Sequence, residues 1–238
     1  MPPGGPMWAC WLRLPSDCDP ATIHLLMSPT DRSKSPLVVA LLFGQPGVGK
    51  GTQGEVLGRI PGLVHLATGD MFRGLDHESE LGQEFLKYSS QGLLVPDDLT
   101  CRLWRQYVQG MIDTNAYRPH MDLLLLDGIP RSVAQAQTLA EHIDVLTVVH
   151  LVCPKRDELV ARIKRRAQKQ GRLDDADESV IRRRLDVYEE ETRPVLECYD
   201  SSIVHDVDAT GLPMQVTQRV LNVIIPAVQH RLANPLGR

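Results

Sequence analysis

Leu37-Val-Val-Ala-Leu-Leu-Phe43 runs without a polar interruption into Gly44-Gln-Pro-Gly-Val-Gly-Lys-Gly-Thr52. An unbroken apolar run of this length predicts a strand buried on both faces, as in a parallel sheet. The glycines that follow form a loop whose backbone N–H groups point inward at an anion, and the next helix presents its positive end to the same anion. Lys50 is placed to reach the β and γ phosphates of a nucleotide. In one respect the stretch departs from the general pattern: Gly51 stands where Ser or Thr usually follows the lysine, and the hydroxyl comes one residue later, on Thr52.

Working outward, helical signals alternate with short apolar runs at Leu63–Leu66, Leu123–Leu126, Val145–Val152 and Ile203–Val207. Strands alternating with helices imply an α/β fold, a parallel sheet covered by helices on both faces. Ligands of such sheets bind at the carboxyl ends of the strands. Pro61 and Gly62 are expected to close the first helix, and Asp97 and Asp98 to begin another. The segment Asp177–Tyr199 carries Val180, Ile181, Leu185 and Tyr188 at helical spacing, with Pro194 predicted to kink or end it.

Composition narrows the function classes. The 238 residues, 42% hydrophobic and 24% charged, suit one α/β domain with small insertions. A net charge of −4 argues against broad electrostatic attraction to nucleic acid. The sequence has no apolar stretch long enough to span a membrane as a helix. Five scattered cysteines, Cys10, Cys18, Cys101, Cys153 and Cys198, form no CxxC pair, so neither a zinc site nor a disulfide framework is indicated. The eight histidines form no HExxH arrangement and read as ordinary surface or core residues. A reducing cytoplasm is the expected location. Residues 1–36, rich in proline and bearing Trp8 and Trp11, lack the continuous apolar stretch of a secretory signal. They are expected to be a mobile N-terminal extension, or to lie largely upstream of a true start at Met27.

Arginines follow the strand ends. Thr68-Gly-Asp-Met-Phe-Arg73 comes after the second strand, and Asp127-Gly-Ile-Pro-Arg131, with Gln135 a turn further, after the third. Guanidinium forks match phosphate oxygens in bidentate fashion, so these arginines suit a second phosphorylated ligand opposite the first. Asp127, ending an apolar run, is suited to orient a hydrated Mg²⁺ ion. Further basic residues lie in Arg162-Ile-Lys-Arg-Arg166, in Gly171-Arg-Leu-Asp-Asp175 and at Arg182–Arg184. Arg165, Arg182 and Arg183 could equally belong to a solvated helix face.

Taken in order, the glycine loop with Gln53, the Thr68–Arg73 segment, Gly92-Leu-Leu-Val-Pro-Asp97, Asp127–Arg131 with Gln135, and Gly171–Asp175 closely resemble adenylate kinase, over nearly everything from Leu37 to about Val223. The resemblance implies a P-loop NTPase fold within residues 37–238, with an AMP-binding insert at 67–96 and a short lid at 167–175. It implies reversible Mg²⁺-dependent conversion of ATP and AMP into two ADP, maintaining adenine nucleotide balance, by a monomer. It further implies ATP phosphates held by Gly47, Val48, Gly49, Lys50, Gly51 and Thr52, with Arg162, Arg166 and Gly211 also around ATP. For AMP it implies Thr68, Arg73, Leu93, Leu94, Val95, Gly128, Ile129, Pro130, Arg131 and Gln135, with Arg172 and Arg184 reaching the transferring phosphates. Lys50, Arg131, Arg166, Arg172 and Arg184 would be the catalytic residues. No residue is expected to bind the metal directly; Mg²⁺ would be held mainly by substrate phosphates, with Thr52 and Asp127 nearby.

Related pyrimidine kinases tend to carry Ala at the position of Thr68 and Asn at that of Gln135, so this chain looks adenine-directed. Ile129 stands where the family commonly has an aromatic residue, which could loosen packing near AMP. Only four residues separate Arg166 from Gly171, so the lid lacks room for the zinc-bearing domain of long-lid relatives, and no structural zinc is expected. Asp174 and Asp175 are candidates to tether lid arginines, Asp175 equally to cap a helix. The rival readings are a UMP/CMP kinase and a protein that senses ATP and AMP without transfer.

Overall fold

The computed structural model describes residues 36–170 and 177–229. Five strands form one wholly parallel sheet in the order β2-β3-β1-β4-β5: β1 Leu37–Gly44, β2 Leu63–Ala67, β3 Leu123–Asp127, β4 Ile143–Val152 and β5 Val204–Asp208. The apolar run before the glycine loop is the central strand. Its side chains alternate between two cores: Ala40 and Leu42 pack on one face, Val39, Leu41 and Phe43 on the other. The four leucines of β3 divide likewise, Leu123 and Leu125 from Leu124 and Leu126.

Helices close both faces. On the first lie α1 (Lys50–Leu57), α6 (Arg156–Gln170), α7 (Glu178–Val187) and α8 (Pro213–Val228), the last burying Val216, Val220 and Ile224 at successive turns. On the second lie α4 (Asp97–Asp113), with Cys101, Trp104 and Val108 inward, and α5 (Val133–Leu139). Two short helices, α2 (Thr68–Arg73) and α3 (Glu80–Ser89), occupy the segment between β2 and α4. Phe72 and Phe85 stack at 5.2 Å and join them. As expected, α4 begins at Asp97, where Asp97 and Asp98 offset the positive end of the helix.

One local reading is corrected, a helix cap, and one is refined. The helical segment after the lid runs on to Cys198 but leaves α geometry at Tyr188: Tyr188–Thr192 form a π-turn and Arg193–Cys198 a 3₁₀ segment. Pro194 offers no N–H and its ring crowds the preceding turn, so that turn widens, and the Arg193 N–H reaches the carbonyl of Tyr188 five residues back. The N-cap of α7 is Asp177, whose carboxylate accepts from the Ser179 N–H at 2.8 Å. The candidate cap Asp175, together with Asp174, Arg172 and most of the lid at 167–175, lies outside the described residues, as does the N-terminal segment except Pro36. Among the described residues no helix is long and apolar enough to cross a membrane.

Two glycines give opposite responses to an added methyl group. A Cβ at Gly54 of α1 would stand 2.1 Å from Nε2 of His65, whereas at Gly110 of α4 no heavy atom lies within 4 Å. Thermal unfolding should show Gly54→Ala destabilised by about 1–3 kcal/mol from overpacking. Gly110→Ala should be stabilised by roughly 0.5–1 kcal/mol through reduced chain entropy.

Candidate functional site

Strand register places the motif residues in one row. Asp127 of β3 pairs with Leu42 of β1 on one side and with Ala67 of β2 on the other. The glycine loop, Gly128 and Thr68 therefore all leave the sheet at its carboxyl edge, where one continuous cleft of about 710 Å³ opens.

On the β1 side, Gly47, Val48, Gly49, Lys50, Gly51 and Thr52 line the cleft. Gly47 passes so close to α6 that a Cβ there would meet Ile163 Cγ1 at 2.8 Å and the Leu159 carbonyl oxygen at 2.9 Å. Gly49, at φ 114°, turns the chain into α1 without any side-chain cap, and the first turn of α1 carries no acidic residue. Its N–H groups are thus left for an anion. Lys50 Nζ folds back to donate to the carbonyls of Gly44 and Gln45. Gly211, beyond β5, lines the same arm, as do Arg162 and Arg166 of α6. Arg162 pairs with Glu158 at 2.6 Å and leans toward the Val48 carbonyl at 3.4 Å.

On the β2 side the lining includes Thr68, Arg73, Leu93, Leu94, Val95, Gly128, Pro130, Arg131 and Gln135. Ile129 differs: its side chain is 1% exposed and packs in the core with Phe43 and Trp104. The branched aliphatic side chain occupies a core position and is not part of the cleft lining. Thr68 donates to the Gly128 carbonyl at 2.9 Å, and Arg131 Nε to the same oxygen at 2.8 Å. Gln135 is locked from two sides. Its Oε1 accepts from the Arg131 N–H at 2.8 Å, and its Nε2 donates to Asp97 Oδ1 at 2.7 Å. Because an amide N–H can only donate and a carboxylate only accept, these partners fix the carboxamide orientation. Arg73 is held by Asp70 at 2.5 Å.

Between the arms the charges interact. Burial lowers the Lys50 ammonium to about 8; Asp127 opposes this, while Arg131, Arg166 and Arg184 add to it. Arg131 is lowered to about 10, first by burial and then by Arg184. Burial pushes the Asp127 carboxyl upward, but His65, Lys50 and Arg131 outweigh it and hold the group below its usual range. Arg184, from α7, also lines the cleft. The face-forming arginines separate out: Arg182 is exposed and paired with Glu178, and Arg183 is exposed, while Arg165 is exposed but at the cleft rim.

Several contacts at the site carried no sequence signal. His65 of β2 lies 3.8 Å from Asp127 Oδ2 and packs against Gly54. Asp97 orients Gln135, and Thr192, in the π-turn, donates to the Arg131 carbonyl at 2.9 Å. Glu189 accepts from Gln45 of the glycine loop. Only the π-turn break near Pro194 could have pointed to the last two. The others depend on contacts between distant parts of the chain.

The chain matches the adenylate kinase family model over residues 42–204. It is 42% identical over 190 residues to an adenylate kinase of Kocuria rhizophila, covering 76% of this chain and 95% of the relative. A Flavobacterium psychrophilum adenylate kinase is 36% identical, covering 79% of this chain and 98% of the relative. One from Pseudarthrobacter chlorophenolicus is 38% identical, with 77% and 95% covered. A nucleotide-phosphate loop and a second cation-lined arm sharing one cleft, in a chain with this similarity, place it plainly: the protein belongs to the adenylate kinase family of phosphotransferases.

Proposed function

We propose that this chain catalyses reversible transfer of the terminal phosphoryl group of ATP to AMP, giving two ADP, with the two nucleotides in opposite arms of the cleft. The observation that carries the reading is the shared row at the sheet edge, where Lys50 and Arg131 flank Asp127 in one cavity. ATP phosphates rest on the loop Gly47–Thr52 with Lys50, and its base lies toward Gly211. Arg162 and Arg166 border the same nucleotide. The AMP phosphate is held by Arg73 and Arg131, and Arg184 faces the transferring group. The backbone from Leu93 to Val95 and the side chain of Thr68 wall the AMP arm. Gln135 reads adenine: one amide proton and one carbonyl lone pair are spent on Asp97 and Arg131, leaving one donor and one acceptor for the purine edge. Both arms are built from a single chain, so the enzyme works as a monomer.

Asp127 fits a role beside Mg²⁺. It is an ionised, buried carboxylate at the cleft floor, with the Thr52 hydroxyl also in the lining. Among the described residues no three His, Cys, Asp or Glu side chains cluster as metal ligands. When bound, Mg²⁺ supplies charge neutralisation on the phosphates. The protein's own contribution is alignment and cationic stabilisation. An AMP phosphate oxygen is already ionised and needs no general base, so attack is direct and in line, without a phosphoenzyme.

Phosphorus NMR of ATP and Mg²⁺ with each nucleoside monophosphate should show diphosphate forming with AMP and not with UMP or CMP. Product with the pyrimidines would instead favour a UMP/CMP kinase, and binding without any diphosphate a sensor. Arg131→Ala should lower turnover by roughly 10³-fold or more, the scale of an arginine stabilising a transferring phosphoryl group, while circular dichroism stays native. Lys50 must be charged to hold phosphates, and bound phosphates will raise its pKa. Association constants for ATP should therefore be insensitive to this group below pH 8 and fall by up to tenfold per unit above about 8. Isothermal titration with Lys50→Met should show weaker binding without that fall.

A further inference from the structure

Gln53 is a polar side chain with nowhere obvious to go. It sits on α1 one residue after Thr52, is 3% exposed, and borders the ATP arm of the cleft. Its carboxamide is nevertheless engaged by the protein. Nε2 donates to the carbonyl of Pro213 at 3.1 Å, and Oε1 accepts from the Thr217 hydroxyl at 2.7 Å, both on the first turns of α8.

The stretch leading into α8, Ala209–Leu212, contains Gly211 and is braced from within. Arg219 donates to the carbonyls of Asp208 and Thr210 at 2.8 and 2.9 Å, and Gln215 accepts from the Leu212 N–H at 3.0 Å. Those ties run to α8, and the start of the stretch is also held to the sheet, where the Ala209 N–H donates to the Val152 carbonyl of β4 at 2.9 Å; none of them reaches α1. Gln53 reaches instead from the helix that carries Lys50 and Thr52. Its carboxamide joins the phosphate-holding element to the start of α8, 160 and 164 residues away in sequence.

We infer that Gln53 is a positioning residue that sets the distance between the phosphate loop and the stretch around Gly211, so that the triphosphate and base of one ATP molecule are accommodated together. This rests on the reading that the ATP base lies toward Gly211. Its oxygen and one amide proton are engaged by the start of α8, which makes the side chain a tie between the two helices. Its effect is energetic coupling: a nucleotide bridging the two elements gains from both only if their spacing is already correct, and an unset spacing must be ordered on binding.

The test compares a ligand that spans the two elements with one that does not. Titrations with MgATP and with Mg²⁺ and inorganic tripolyphosphate would be run on the wild type, Gln53→Leu and the near-isosteric Thr217→Val. Losing one or two such hydrogen bonds should weaken MgATP binding about tenfold, with tripolyphosphate affinity unchanged. In the ADP-forming assay KM for ATP should rise in proportion while KM for AMP stays fixed. The double variant should cost no more than the Gln53→Leu change alone, since both remove one linkage. Equal weakening of the two ligands would show that Gln53 merely supports the phosphate loop, and no selective weakening of MgATP in Gln53→Leu and Thr217→Val alike would show that the link to α8 is idle; either overturns the inference. A wild type that binds MgATP no more tightly than tripolyphosphate would instead overturn the placement of the base near Gly211. Thr217→Val, altering a half-buried surface hydroxyl, provides the reading if Gln53→Leu fails to fold.

Discussion

Everything at the site depends on β3 lying between β1 and β2 in a register that brings Asp127 level with Leu42 and Ala67. Parallel strands can be neighbours in a sheet without being neighbours in sequence, and the crossover order places the third strand between the first two. A shift of β3 by one residue would exchange its two leucine faces between the cores and withdraw the carboxylate from the cleft. All five residues of β3 are buried, so such a shift would expose or misplace the whole strand. The chemistry of the cleft therefore inherits its alignment from core packing.

That alignment concentrates charge. Burial first, and then three guanidinium groups opposed by one carboxylate, Asp127, make the Lys50 ammonium less stable in the charged form than in water. A bound polyphosphate reverses the balance by adding several negative charges where positive charge is already gathered. The protein has thus invested folding stability in an electrostatic environment that favours the ligand, and no reorganisation of distant groups is needed when charge spreads over the phosphoryl oxygens. The same reasoning explains why Lys50 turns to the backbone carbonyls of Gly44 and Gln45, which supply acceptors within its reach.

How much of this the sequence disclosed follows from the range over which each signal acts. The glycine loop, β1, the start of α4 and the arginines after the strand ends are local patterns, and they were legible because backbone conformation and phosphate chemistry constrain short stretches directly. His65 was read as ordinary because its partner, Asp127, becomes a neighbour only through the β2–β3 pairing. Asp97 was read as a helix start, which it is, but its bond to Gln135 spans 38 residues. The sequence marks Pro194 as the disturbance in its helix, but not that the turn before it widens from Tyr188 onward, since a proline acts on the preceding turn as well as on its own position. Ile129 lies between two residues that line the cleft, Gly128 and Pro130, yet is itself buried in the core, a difference that adjacency in sequence does not reveal.

Sheet geometry also limits how the two substrates can approach. Neighbouring strands are about 4.8 Å apart, so the elements leaving β1 and β2 are separated by roughly 10 Å, two such spacings, with β3 beneath the gap. Reacting oxygen and phosphorus must come within about 3–3.5 Å. A packed five-stranded sheet cannot contract to bring them together, so the remaining distance has to be covered by the phosphates themselves and by the helices that hold them from above. Arg184 on α7 and Arg166 on α6 face the gap from elements outside the sheet. On the proposed placement of the two nucleotides, the strands fix where transfer occurs, and the helices bearing Arg166 and Arg184 are the elements that would complete the site.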